Sequence, residues 1–461
     1  MSFASIEFLL FFGFVLVVTA VLEHKFSARI KEAFLLLASY FFYGYWDWRF
    51  CFLLLFVTVS SYFTAKNSHK KFAYISGVVI PLVVLGFFKY FNFFLDSASK
   101  LIGKDLGVLR IILPVGISFY TFQALSYVID VNRGKIEAEN DFTKLALYIS
   151  FFPQLVAGPI VRAADFLPQL RQDRKVELKN IKWGVQVFVF GLFKKIVIAD
   201  HLSVFVDDVY SKPAAFHWAT IILAIIAYSI QIYFDFSGYS DMAIGCAKCL
   251  GYDFNKNFNL PYISQNVTEF WRRWHISLST WLKEYLYIPL GGNRKGKARQ
   301  YINLFLTMLL GGLWHGANWT FVFWGAINGA ALCVDKVRRK KKQQGVTKII
   351  NIIATFLFIT FTWIFFRAES FEVAGAVIKG IFTLQNGIKQ PFTWAFVALA
   401  VLSVATVMAE NKSKKEKKET DGYYPILDLN SVWGLTAFFV EIGLIFALAY
   451  TGENPFVYFQ F

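Results

Sequence analysis

The stretch Phe8–Leu22, FLLFFGFVLVVTAVL, decides the class of protein because it contains no charged side chain. A helix needs about 20 mainly apolar residues to cross a hydrocarbon core about 30 Å thick. Of the 461 residues, 56% are hydrophobic and 19% are aromatic, whereas soluble domains are usually no more than about half apolar. The sequence therefore predicts an all-α polytopic membrane protein rather than a soluble enzyme.

Basic clusters alternate with the apolar runs, and this alternation orients the chain. We predict membrane spans near residues 5–22, 33–48, 50–65, 72–95, 111–131, 183–201, 217–235, 348–366, 392–409 and 432–451. Positive loops tend to stay in the cytoplasm, so we assign to that side the clusters at 25–31, 66–71, 162–182, 294–299, 336–342 and 412–418. Both termini, including the tail 452–461, are then extracytoplasmic. The net charge of +16 has the same explanation, so no nucleic-acid partner is predicted.

The segment 301–335 begins and ends beside cytoplasmic clusters, so it should enter the membrane and return. Tyr301–Leu313 would reach only about 20 Å as a helix, which is too short to cross. Gly311 and Gly312 precede Trp314–Asn318, where the turn is expected. Irregular backbone at that depth must be buried in protein or line a wet cavity.

Two other segments are predicted not to cross the membrane. Phe142–Ile160 contains Pro153 and is expected to be bent or re-entrant. The Trp- and Arg-rich stretch 271–287 is expected to form interfacial amphipathic helices on the cytoplasmic side. Because no Gly/Ser linker and no internal repeat interrupts the chain, residues 1–461 are predicted to form a single membrane-embedded domain.

No metal site is predicted. The chain has four cysteines, and only Cys246 and Cys249 form a CxxC pair. A zinc site would need a second pair or suitably spaced histidines. Two small apolar side chains one helical turn apart are the simpler interpretation.

His315 is the strongest candidate for chemistry among the six histidines. An ionisable side chain at membrane depth is costly and, by default, functional. The structural alternative is a neutral histidine that satisfies a helix end; the functional interpretation is a general base kept neutral by burial. Arg272, Arg273 and His275 either form an interfacial basic face or hold the phosphates of a polyanionic donor, and the residues leave both interpretations open.

Several motifs follow one another between about residues 110 and 335. They read FFPQLVAGPI (151–160), FDFSGYSDMAIG (234–245), FWRRWHISLS (270–279), YIPLGGN (287–293) and GGLWHGA (311–317). Together they resemble the membrane-bound O-acyltransferase (MBOAT) family, specifically the bacterial branch that O-acetylates alginate or peptidoglycan. The resemblance implies a helical bundle with re-entrant helices around a central tunnel. It also implies that His315 is the family's catalytic histidine and His275 its second polar position.

The implied reaction moves acetyl from cytoplasmic acetyl-CoA across a bacterial inner (cytoplasmic) membrane to an envelope polysaccharide. An extracytoplasmic partner of the serine-hydrolase-like SGNH type would complete the transfer. His315 and His275 are the predicted catalytic histidines; the predicted donor-binding residues are Arg272, Arg273, Trp314 and Asn318.

The 53 phenylalanines together with plentiful Lys, Ile and Asn indicate an AT-rich genome. Because classic alginate producers are GC-rich, peptidoglycan muramic acid is the preferred acceptor by this association. Alginate or another exopolysaccharide, and D-alanyl transfer to teichoic acid, are the alternatives within the enzyme class. A transporter or flippase is the alternative outside it, although such a protein should show broken helices at matching positions in two halves. A scaffold for an envelope enzyme would leave a histidine at membrane depth unexplained.

The tail Asn454–Phe461, NPFVYFQF, allows two interpretations. It is either an interfacial aromatic anchor or an acyl relay that uses Tyr458. The relay rests on resemblance to the D-alanylation machinery, in which a small partner ends in a similar aromatic motif. A phenol is a poor nucleophile unless a base takes its proton, and His315 would be that base.

Overall fold

The computed structural model describes residues 1–156, 158–172, 174–338, 343–390, 394–415, 427–450 and 452. Within these ranges the regular elements are helices, apart from one isolated parallel bridge between Phe216 and Ile388. The all-α prediction is therefore confirmed.

Each predicted span overlaps at least one helix of the described residues. The helices of the first half are α1 Ile6–Lys25, α2 Ala28–Asp47, α3 Arg49–Lys66, α4 Lys71–Leu85, α5 Phe91–Ile102, α6 Ile117–Asn132, α7 Phe142–Ser150, α8 Phe152–Leu155, α9 Ala163–Arg171 and α10 Leu178–Phe193. Those of the second half are α11 Asp200–Ser211, α12 Trp218–Cys249, α13 Val267–Trp271, α14 Ile276–Leu282, α15 Gly296–His315, α16 Trp319–Arg338, α17 Gly345–Arg367, α18 Phe371–Phe382, α19 Trp394–Lys415 and α20 Val432–Leu448.

Helix length and hydropathy together identify membrane-crossing helices. Among the described residues, those long and apolar enough are Ile6–Lys25, Arg49–Lys66, Lys71–Ile102, Trp218–Cys249 and Gly345–Arg367. Lys71–Ile102 joins α4 and α5 through a π-helical turn at Gly86–Tyr90. Each of the five overlaps a predicted span. Shorter apolar helices cover Ala398–Glu410 and Val432–Leu448. The chain is thus multi-pass, while the larger number of predicted spans and the extracytoplasmic termini stay predictions.

The chain divides into two compact units, Met1–Phe188 with Met242–Asn255, and Val189–Asp241 with Lys256–Phe461. In the first unit, every residue of α6 from Ile117 to Asp130 is buried. Gly116 precedes this helix with φ +74°, and a side chain there would collide with the carbonyl oxygen of Leu155. The tight start of α6 therefore requires glycine. The prediction of a single domain over residues 1–461 stays a prediction.

In the second unit, α15 and α16 pack closely as an antiparallel hairpin. Contacts pair Gly312 with Gly325, and Phe305, earlier in α15, with Gly329, later in α16. A Cβ on Gly312 would lie 3.0 Å from Gly325 Cα and would collide with the carbonyl oxygen of Phe321. These glycines let the two backbones approach, as small residues do between membrane helices.

The predicted length of the ascending arm was wrong. Helix α15 has 20 residues from Gly296 to His315 and so reaches about 30 Å, although it is not among the described helices that are both long and apolar enough to cross a membrane. It begins within the basic cluster 294–299 and passes through Gly311 and Gly312 without a break. Packing against α16 offsets the low helix propensity of glycine, which is why the pair does not end the helix.

Two predicted irregular segments are indeed broken. Phe142–Ile160 divides into α7 and α8 at Phe151, whose ψ of 112° interrupts the helix. The stretch 271–287 divides into the end of α13, helix α14 and a π-helical turn from Lys283 to Tyr287. Within this stretch the side chains of Trp274 and His275 are buried, and the predicted interfacial location stays a prediction.

Candidate active site

His315 is the last residue of α15, and its imidazole is buried. Its ring centroid lies 5.0 Å from that of Trp314, 5.2 Å from that of Trp324 and 5.2 Å from that of Phe366. The helix ends here because Gly316 is extended, with φ −156° and ψ 148°. A side chain on Gly316 would collide with the ring of Phe321, so glycine is required for this close turn.

Tryptophans build an apolar wall behind His315. Trp324 stacks on Trp363 with centroids 5.6 Å apart and an interplanar angle of 18°, and Trp274 lies 5.1 Å from Trp363. All three side chains are almost fully buried. Electrostatic interactions are stronger in such a low-dielectric enclosure than in water, and a bare charge there is costly.

Trp314 contacts both predicted catalytic histidines. Its ring centroid is 5.0 Å from that of His315 and 6.1 Å from that of His275. The structure thus brings together three of the predicted site residues, with the indole ring of Trp314 between His315 and His275. They come from two separate stretches of sequence, the end of α15 and the turn before α14.

His275 occupies a strained and fully enclosed position. Its φ of +42° lies in the left-handed region that residues other than glycine rarely adopt. The ring packs edge-on against Phe236 with centroids 4.5 Å apart. Burial lowers the pKa of His275 to about 3, because a charged imidazolium would lose its hydration there. The ring is therefore neutral at physiological pH.

A hydrogen-bond network surrounds His275 and includes residues that sequence reasoning missed. His275 Nδ1 lies 3.1 Å from Asn257 Oδ1. The backbone N–H and the hydroxyl of Ser277 donate to the same oxygen at 3.2 and 2.9 Å, and Asn257 Nδ2 donates to Ser240 Oγ at 3.1 Å. The FDFSGYSDMAIG motif contains Ser240, but nothing in the sequence connects it to Asn257.

The basic residues Arg272 and Arg273 do not form one face with His275. Arg272 is exposed, whereas His275 is buried. Arg273 pairs with Glu269 at 2.7 Å, and its Nη1 donates to the carbonyl oxygen of Asn259 at 3.1 Å. Of the predicted phosphate-binding pair, only Arg272 therefore projects outward.

Asn318 caps helix α16. Its Oδ1 accepts from the Thr320 backbone N–H at 3.0 Å, and its Nδ2 donates to the carbonyl oxygen of Glu369 at 2.7 Å. The first bond satisfies an orphan N–H group at the start of α16, and the two bonds together explain the residue without a donor molecule. Its predicted donor contact stays a prediction, and Tyr458 lies outside the described residues.

Two lysines in the interior of the predicted span 183–201 also escaped sequence reasoning. Lys195 Nζ lies 2.6 Å from both Asp200 Oδ1 and Asp235 Oδ1. Lys194 Nζ lies 2.6 Å from Asp241 Oδ2 and also pairs with Glu410. The signal in the sequence was the pair of adjacent lysines within an apolar run, because charged side chains at membrane depth usually form ion pairs.

Comparison with known proteins identifies the class. The model of the membrane-bound O-acyltransferase family matches residues 140–373. A Pseudomonas aeruginosa protein named probable alginate O-acetylase AlgI is 44% identical over 400 residues, which are 83% of this chain and 75% of that protein. An Azotobacter vinelandii protein of the same name is 38% identical over 480 residues, covering 94% and 95%. A Helicobacter pylori peptidoglycan O-acetyltransferase is 40% identical over 393 residues, covering 77% and 74%.

The fold and the site define a class of protein: a multi-pass helical protein with a buried histidine at a helix hairpin. The chain belongs to the membrane-bound O-acyltransferase family. It is therefore an acyltransferase of the membrane, and the transporter and scaffold alternatives are set aside.

Proposed function

We propose that this protein takes acetyl from acetyl-CoA at the cytoplasmic face of a bacterial inner membrane and passes it on for O-acetylation of an extracytoplasmic polysaccharide. The observation that carries the proposal is the position of His315, buried among aromatic rings and joined to His275 through Trp314. A histidine that only satisfied the end of a helix would not need to be enclosed by aromatic rings.

His315 is proposed to act as a general base. Its neutral imidazole takes the proton of the attacking hydroxyl as the hydroxyl oxygen bonds to the thioester carbonyl carbon. The C–S bond then breaks, and the proton passes to the departing thiolate of coenzyme A. The apolar enclosure favours this chemistry because it keeps the base neutral and excludes competing water. Attack by His315 itself, with an acetyl-imidazole intermediate, is the second route.

Label transfer from the donor tests this proposal. Purified protein incubated with acetyl-CoA labelled in the acetyl group should release free coenzyme A and carry label onto an acceptor. A protein that binds acetyl-CoA but never breaks the thioester, with or without an acceptor, would overturn the proposal. D-alanyl transfer predicts the opposite donor preference, so a carrier-bound D-alanyl thioester should be offered in parallel.

Arg272 is proposed to contact the phosphates of the donor, because it is exposed next to the His275 turn. Arg272→Gln should raise the KM for acetyl-CoA about two- to fivefold, the range expected for one solvent-exposed ion pair. Added salt should reduce the difference between variant and wild type, since it screens exposed charges.

Arg273→Gln is the matched control for that variant. It removes the pair with Glu269 and the bond to the Asn259 carbonyl, so its main effect should be lower stability. Steady-state kinetics over a salt series and thermal unfolding separate the two. An unchanged KM for acetyl-CoA in Arg272→Gln would show that the residue does not contact the donor and only contributes to the orientation of the chain in the membrane.

The acceptor is proposed to be the muramic acid hydroxyl of peptidoglycan, reached through an extracytoplasmic SGNH-type transferase. Alginate is the second candidate, favoured by the Azotobacter relative, which matches over 94% of this chain. Deleting the gene and measuring base-labile acetate on purified peptidoglycan and on exopolysaccharide decides between them. Loss of acetate from exopolysaccharide alone would replace the first candidate with the second.

Tyr458 is proposed to carry acetyl out of the site. Tyr450, which precedes the tail, is held near the end of α10 because its backbone N–H donates to the Ile196 carbonyl at 3.0 Å. Tyr458→Phe removes one oxygen and keeps the aromatic anchor. The relay predicts loss of polymer acetylation with normal expression, measured as released acetate. Wild-type acetylation in this variant, or trapped acetyl found only on His315 by peptide mass spectrometry, would rule the relay out.

A further inference from the structure

The side-chain amide of Asn257 has only one orientation that suits its neighbours. The Ser277 backbone N–H points at one amide atom, 3.2 Å away, and a backbone N–H can only donate. That atom is therefore the amide oxygen. On the other side, the amide nitrogen donates to Ser240 Oγ at 3.1 Å. The surrounding donors and acceptors thus show which atom of the amide is the oxygen and which is the nitrogen.

This orientation decides which nitrogen of His275 carries the proton. His275 Nδ1 is 3.1 Å from Asn257 Oδ1, and two acceptors at that distance would repel each other. Nδ1 must therefore be the donor. A neutral imidazole has a single N–H, so Nε2 keeps its lone pair and is the ring's basic atom.

Asn257 also holds the strained backbone of His275. A left-handed conformation at a residue other than glycine is strained and persists only where its surroundings impose it. Here the Ile276 backbone N–H donates to the Asn257 carbonyl at 2.8 Å, and the Ser277 N–H donates to the side chain. One asparagine fixes both the turn and the imidazole it carries.

We propose that Asn257 is a positioning residue of the acyl-transfer site, which holds His275 as the Nδ1–H tautomer and so keeps Nε2 as the hydrogen-bond acceptor of this ring. The inference rests on the proposed function, because it takes acetyl transfer as the reaction in which His275 takes part. It differs from a purely structural role, in which loss of Asn257 would lower stability and leave the tautomer and the kinetics of the folded protein unchanged.

Nitrogen NMR tests the tautomer without reference to activity. The full-length protein, labelled with ¹⁵N-histidine and reconstituted in lipid, contains only six histidines, and His275→Gln identifies the signal of interest. The wild type should show protonated Nδ1 and bare Nε2. Asn257→Asp keeps an acceptor and should keep this tautomer, whereas Asn257→Leu should lose it.

A matched control is available in α15. Asn303 is also fully buried, and its Nδ2 donates to the Gly292 carbonyl at 3.0 Å. Asn303→Leu therefore reports the cost of removing a buried amide elsewhere. It should lower the thermal stability while the His275 signal keeps its wild-type tautomer.

Kinetics supply the second readout. Asn257→Leu should lower kcat for acetyl transfer at least about tenfold with little change in the KM for acetyl-CoA. In Asn257→Asp, the carboxylate beside Nδ1 favours the imidazolium and raises the pKa of His275. Because the neutral ring is lost as the pH falls through that raised value, the acid limb of the pH–rate profile should move to higher pH. The wild type should show no such limb from His275 above pH about 5, since burial lowers its pKa to about 3.

The outcomes separate this inference from the proposed function. Asn257→Leu with the wild-type tautomer, or with wild-type kcat per folded molecule, overturns the positioning role. An unshifted pH profile in Asn257→Asp overturns it as well. A wild-type protein that transfers no acetyl overturns the proposed function instead, and the NMR result then still decides whether Asn257 sets the tautomer.

Discussion

Replacing His315 with alanine is expected to reduce acetyl transfer by about 10²–10⁴-fold, the usual cost of losing a general base. The protein should still insert into the membrane, because helix α15 is held by its glycine packing against α16 rather than by this imidazole. His315→Gln is the better-matched variant. It keeps a polar side chain of similar reach between Trp314, Trp324 and Phe366 and cannot take a proton.

The measurement is the rate of coenzyme A release by purified protein at saturating donor. His217→Ala is the control, since His217 is half-buried at the start of α12 and caps the Ala219 backbone N–H. That variant should lose some stability and little activity. Near-wild-type transfer by both His315 variants would show that the base is elsewhere in the protein.

His315 was predicted from the sequence because several signals agreed there. An ionisable residue followed two glycines at the end of an apolar run, between basic clusters from which its depth in the membrane was predicted. The helix that carries it is longer than the predicted run Tyr301–Leu313, because α15 has 20 residues. Glycine in isolation disfavours a helix, and only the partner helix shows that Gly312 and Gly325 are the contact surface.

The neighbourhood of His275 lay beyond sequence reasoning for a different reason. Trp271–His275 has the composition of an interfacial helix, and periodicity cannot tell that Trp274 and His275 turn inward. The backbone of His275 is left-handed, and its ring contacts Asn257, which lies 18 residues earlier. A contact over that distance leaves no local pattern in the chain.

The largest effect on stability is expected from Lys195→Met. Lys195 Nζ lies 2.6 Å from carboxylate oxygens of Asp200 and Asp235, and all three side chains are less than 10% exposed. Removing the cation leaves two carboxylates buried close together. Breaking a buried ion pair by deleting one partner costs about 3–5 kcal/mol, because the remaining charge keeps its desolvation cost.

Thermal unfolding in detergent, followed by tryptophan fluorescence, measures this cost. The apparent Tm of Lys195→Met should fall by on the order of 3–5 °C. Lys212→Met is the matched control, since Lys212 pairs with Asp208 at 2.9 Å and both side chains are more than half exposed. An exposed pair contributes little, so this variant should unfold close to the wild-type temperature.

Neutralising the carboxylates tests the physical cause. Lys195→Met combined with Asp200→Asn and Asp235→Asn leaves no buried charge in the cluster, and neutral replacements of buried pairs are often tolerated. The triple variant should therefore recover much of the stability lost in Lys195→Met. If it unfolds as early as the single variant, the lysine stem and not its charge stabilises the π-helical turn Lys194–Ala199. Activity measured on the recovered triple variant then shows whether the charges serve catalysis as well, since π-helical turns are often found at functional positions.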